Sequence, residues 1–230
     1  MGEIYNERGS KKYFSIFDNS LVRFCEQDAP RATLLKQTQK DGKVKEMWGV
    51  RVDGILGNIK SIAYKCDTIQ HNGKEIKIPK VMVVMYDSEE TFTVELPFKT
   101  YGVDLIRRAL TVVRTKKGDS VYALKVYSIK KNGKEFSNAY SMLYENGEKP
   151  GVISFYNETN PEPENIKWKK ETNAQGETIW NRNASDKFFL DILKNEITPY
   201  FENLDKERNK AVSNQEEHIP SDESIDDDIF

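Results

Sequence analysis

Apolar and polar positions alternate in short runs over much of the chain, the period-two pattern of half-buried strands. The runs fall at 13–17, 21–26, 44–53, 58–66, 76–86, 91–97, 121–130 and 135–144, with a weaker one at 152–156. Between them stand Asp41-Gly42, Asp53-Gly54, Asn72-Gly73, Asn132-Gly133 and Asn146-Gly147. These pairs accept the positive φ angles of tight hairpins. Val81-Met82-Val83-Val84-Met85 is apolar on both faces and predicts a central strand.

One helix interrupts the strands. Between Tyr101 and Val113, the residues Val103, Ile106, Leu110 and Val113 repeat at helical spacing. Strands, a mid-chain helix and strands again is the order of an OB barrel, in which the helix joins the third and fourth strands. The expected fold is therefore mainly β: an OB-like five-stranded barrel over 1–156 with a mid-chain helix and extra N-terminal strands. Residues 157–165, with Pro161 and Pro163, form a polar linker. Residues 166–206 supply a hairpin arm and a helix. The arm runs from Ile166 through a Gln175-Gly176 turn to Trp180, and Trp168 can pack on Trp180 across it. Ser185 can cap a helix from 186 to 204, with Phe189, Ile192, Leu193, Ile197, Tyr200 and Leu204 as its stripe. Pro199 is expected to kink or shorten it. That stripe can dock on the barrel or form a homodimer contact.

The formal net charge of −2 conceals a split. Seven of the 37 acids and none of the 35 bases lie in 215–230, so residues 1–214 balance at +5. Residues 207–230 read as a disordered acidic tail. Its end, Asp226-Asp227-Asp228-Ile229-Phe230, sets two large apolar side chains beside a run of acids. That is the chemistry of a peptide ligand for an apolar pocket rimmed by cations.

Catalysis is not expected. His71 lies in a turn and His218 in the tail, and Cys25 and Cys66 have no metal spacing. There is no phosphate-binding glycine loop and no nucleophile elbow, and no cofactor or metal is implied. No apolar run approaches the roughly 18–20 residues of a membrane span. With no signal peptide pattern and no disulfide framework, the expected compartment is the cytoplasm, of a host cell if the chain is viral.

Single-stranded nucleic acid is held by cations along its phosphates and by flat rings on which its bases stack. In 121–130, alternation sets Lys125 and Tyr127 together, leading into Lys130 and Lys131. Lys45 and Arg51 share a face of 44–53, Lys60 and Tyr64 share a face of 58–66, and the arm adds Lys167, Trp168, Lys169 and Lys170. Trp48 falls on the more apolar face of its strand, as a core residue would.

Body and tail together resemble the single-stranded-DNA-binding proteins of bacteria and their phages. The bacterial tail ends Asp-Asp-Asp-Ile-Pro-Phe, and 226–230 match it with the proline missing. The resemblance implies a barrel that coats single-stranded DNA during replication, recombination and repair. It also implies a tail that recruits a polymerase, primase or helicase. The chain departs from that pattern in lacking a long Gly/Gln-rich linker and in carrying the extra strands, the arm and the last helix. The +5 body and the acidic tail further suggest that the tail competes with DNA for the basic groove. A DNA-mimic or host-takeover adaptor acting through the tail, or a virion assembly protein acting through the helical stripe, are the alternatives.

Overall fold

The alternating runs pair with one another in a computed structural model that describes residues 11–38, 42–71, 73–87, 90–130, 137–173 and 176–216. The strands are β1 (Lys11–Phe17), β2 (Ser20–Phe24), β3 (Thr33–Thr38), β4 (Val44–Val52), β5 (Ile55–His71), β6 (Lys74–Tyr86) and β7 (Thr91–Pro97). After the helix α1 (Val103–Thr115) come β8 (Val121–Lys130) and β9 (Ser137–Glu145). The arm is β10 (Lys169–Thr172) and β11 (Thr178–Asn181), followed by α2 (Asn183–Ile192) and α3 (Thr198–Glu216).

Among the described residues, nine strands form one mixed sheet in the order β3-β4-β2-β1-β7-β6-β5-β8-β9. Every neighbour is antiparallel except β1 with β7, where Phe14 stands beside Val94. The sheet curls into a half-barrel, far enough to bring β2 against β8. β5 makes this possible. Its first residues, Ile55–Asn58, pair with β8, and the remainder pairs with β6. A bulge between Ile59 and Ser61 bends the strand at the changeover. Gly57 is required here, because a Cβ on it would lie 2.5 Å from the Tyr86 carbonyl oxygen.

One face of the sheet and the three helices enclose the core. Val81, Val83 and Met85 of the predicted central strand are fully buried, as are Ile59, Ile62, Val94, Leu96, Tyr122 and Leu124. α1 buries more than the predicted stripe: Leu105, Ala109 and Val112 are covered as well as Val103, Ile106 and Leu110. The helix touches both β9 and the later helices, so two of its faces are occupied.

The last helix starts at Asn183 and reaches Glu216, interrupted by a π-type turn at Leu193–Ile197. Pro199 is the second residue of α3, where its missing N–H removes no bond from the middle of a helix. The wider turn before it lets the chain continue. Phe189, Ile192, Leu193, Ile197 and Phe201 are buried in the core, those of α2 against α1 and the later ones against β5, so that stripe is consumed within the chain. Residues 205–216 carry almost no apolar side chain, which is why periodicity gave no sign of this stretch.

β3 is not foreshadowed by alternation, since Leu35 is its one buried residue. Residues 152–156 form no strand. They leave the edge of β9, where Val152 N–H donates to the Leu143 carbonyl, and run along α1, where Phe155 N–H donates to the Arg107 carbonyl and Arg108 and Thr111 donate to the Val152 and Ile153 carbonyls. The same edge is covered at Ser141, whose N–H donates to the Asp104 carboxylate of α1 at 2.9 Å. No helix among the described residues is long and apolar enough to cross a membrane.

Candidate nucleic-acid interface

The β8–β9 hairpin turns one face to the core and the other to solvent. Tyr122 and Leu124 are buried, while Lys125, Tyr127 and Ile129 are exposed, as the alternation predicts. The register sets Ala123 opposite Tyr144, Lys125 opposite Met142 and Tyr127 opposite Tyr140. Residues directly opposite share a face. The outward face is thus a run of rings and one cation: Tyr127, Tyr140, Met142, Tyr144 and Lys125. Tyr127 and Tyr140 stack, with centroids 5.2 Å apart and planes 22° from parallel. The Lys125 ammonium lies 5.7 Å from the centre of the Tyr144 ring. Exposed Leu56, opposite Ala123 on β5, extends the apolar border. Partial burial, with Tyr144 adding to it, raises the Tyr127 phenol above its ordinary range, against the opposing charge of Arg108.

The other residues singled out in the sequence lie elsewhere. Lys60 and Tyr64 do share a face of β5, but it is the face on which the last helices pack. Tyr64 meets Phe98 edge-on, with the Lys194 ammonium 5.2 Å from its centre. Lys60 pairs with Asp205 of α3 at 3.6 Å. Arg51 pairs with Asp18 and lies over the Phe17 ring. Lys45 is exposed on β4, opposite Gln37 of the edge strand β3. The Lys130 side chain, Lys131 and the tail residues Asp226 to Phe230 fall outside the described residues.

The arm forms its own two-stranded ribbon. Trp168 and Trp180 meet with centroids 6.5 Å apart, and each carries a cation: Arg182 over Trp168 and Lys170 over Trp180. Lys167 pairs with Glu164. Lys169, opposite Asn181, lies on the other face from Lys170.

Tyr140, Tyr144, Trp180 and Arg182 were not among the sequence-derived contacts. Counting back from an Asn132-Gly133 turn would set Tyr127 opposite Asn138, two residues from the observed partner Tyr140, so the turn signal puts Tyr140 on the right face but does not give the pair. Nothing local to Arg182 announces its place over an indole.

On the outer face of β5 to β7, Lys65 and Lys80 stand among Asp67 and Glu95. Two cations and two acids cancel there, and hydrogen bonds from Lys80 and then Lys65 hold the Asp67 carboxyl below its usual range. That region of sheet offers phosphates no net charge. Among the described residues, no group of three or more His, Cys, Asp or Glu could hold a metal ion. No protein-family model matches the chain, and neither do curated proteins or solved structures.

Proposed function

We propose that the protein binds single-stranded DNA without sequence preference and brings replication proteins to it through its acidic tail. The observation that carries this reading is the stacked Tyr127–Tyr140 pair beside Tyr144 and Lys125 on an open strand face. A neutral bed of rings flanked by a cation suits bases and phosphates common to every sequence. The order β5-β6-β7-α1-β8-β9, with β5 paired to both β6 and β8, is that of an OB barrel and supports the same reading. In this chain β7 pairs with the added N-terminal strand β1, and β9 with β8. The OB assignment therefore rests on order and pairing, without a closing β7–β9 ladder among the described residues.

A body of +5 gives a moderate, salt-sensitive grip, since each phosphate neutralised releases counterions. The tail of −7 is tethered to that body, so it competes at high local concentration and is displaced when DNA loads. Ile229 and Phe230 then become available to a polymerase, primase or helicase.

Titrating an end-labelled oligo-dT with the protein at low and high salt, followed by anisotropy, tests the reading. Binding that weakens steeply with salt supports it. No change in anisotropy at either salt eliminates it, and favours an adaptor that acts through the tail alone.

A further inference from the structure

A two-stranded ribbon cannot bury large rings on its own. The β10–β11 arm nevertheless carries two indoles on one face, 45% and 53% exposed. Trp180 stands directly opposite Lys170, and Trp168 lies two residues before Lys170 on the same face. The Lys170 ammonium is 5.2 Å from the Trp180 ring centre, and the Arg182 guanidinium is 4.3 Å from that of Trp168. The order across this face is cation, ring, ring, cation, and its continuation is Thr172 opposite Thr178. The ribbon's acid lies on the other side, where Glu171 accepts a hydrogen bond from Asn181.

The arm's base is fixed. Ile166 is buried in the core, and Arg182 donates to the Lys99 carbonyl at 2.7 Å. Asp186 lies 3.7 Å from Arg182 and 3.6 Å from the Lys99 ammonium. Arg182 is thereby held with its flat face against Trp168 rather than turned toward solvent. The two indoles and the exposed Lys170 are complementary to a polyanion whose units are themselves rings, while Arg182, 22% exposed and paired with Asp186, backs the Trp168 ring.

We propose that Trp168, Lys170, Trp180 and Arg182 form a second site for unpaired nucleotides, with bases stacking on the indoles, phosphate meeting Lys170, and Arg182 holding the Trp168 ring in place. The site rests on the single-stranded-DNA reading and extends it to a separate element. It also reassigns the arm's contacts, because Lys167 is paired with Glu164 and Lys169 lies on the opposite face.

The chain has three tryptophans, so Trp48→Phe leaves those of the arm as its only indoles. This variant is titrated with end-labelled oligo-dT at low salt, following indole emission and label anisotropy together. The expected result is quenching that tracks the anisotropy. A further Trp168→Ala, Trp180→Ala pair should weaken binding by about tenfold or more, while Trp→Phe at both positions retains most of it. If anisotropy rises but emission stays unchanged and the alanine pair binds like its parent, the arm site is overturned while the single-stranded-DNA reading stands. If anisotropy never rises, the underlying reading fails and the arm site with it.

Discussion

Arg208 of α3 donates a guanidinium N–H to the carbonyl of Ile59, 149 residues earlier, at 2.9 Å. A second N–H reaches the Gly118 carbonyl at 2.8 Å, and Nε reaches Asp119 at 3.0 Å. The β5 bulge leaves the Ile59 carbonyl in need of such a donor. One side chain thus ties the last helix to the bulge and to the turn that follows α1. The same turn is closed by Gly118, whose N–H bonds the Tyr200 hydroxyl and where a Cβ would strike Leu204 and Tyr200.

Arg208→Ala should therefore lower stability by about 2 kcal/mol. Arg208→Lys should rescue little of it, because an ammonium cannot present the same planar fork to two carbonyls. Urea denaturation measures both. Hydrogen exchange should show α3 loosening before the central strands.

Tyr127 is exposed and Tyr140 half-buried, and the two rings stack on each other. Replacing Tyr127 with alanine should lower stability only slightly, Tyr140 with alanine somewhat more, and either should weaken oligo-dT binding about five- to a hundredfold, the range that 1–3 kcal/mol of base stacking implies. Phenylalanine at the same positions should preserve binding, since the ring rather than the hydroxyl is used. Anisotropy titration distinguishes these outcomes.

Tyr122 reports on the core at high pH. Burial, with Glu145 adding to it, pushes its phenol up to about 12. Its hydroxyl donates to the Lys117 carbonyl at 2.8 Å. The unfolded chain ionises this group near pH 10. The stabilisation is fully present below that pH and is lost as pH rises from about 10 through about 12. Tyr122→Phe should cost about 1 kcal/mol at neutral pH, from the lost hydrogen bond. It should also flatten the decline of stability across that alkaline window, as followed by denaturation at a series of pH values.

Deleting residues 215–230 should strengthen oligo-dT binding several-fold at low salt. The difference should vanish at high salt, where screening removes the competition. The shortened protein should no longer retain replication proteins. Identical affinities with and without the tail at low salt would remove autoinhibition from the proposal and leave recruitment standing.

Much of the β8–β9 face was legible because period-two alternation is local. Lys125 and Tyr127 fall together outward from spacing alone, and the structure agrees. Lys60 and Tyr64 obey the same alternation, yet their face lies beneath α3 and the turn before it. Alternation shows which residues share a side, but it does not say what covers that side. β3 was missed for a related reason: an edge strand with one buried residue has no pattern to detect.

By itself the sequence determined strands, hairpin turns, a mid-chain helix, an aromatic arm and a charge split between body and tail. These depend on neighbours two to four residues apart and on composition. Tertiary structure decided which ring meets which. Tyr140 reaches Tyr127 through a strand register, Arg182 reaches Trp168 across the arm, and β1 lies beside β7, its partner residues 80 positions further along the chain. Those choices are made by burial and pairing between residues far apart in the chain, where no local spacing carries information.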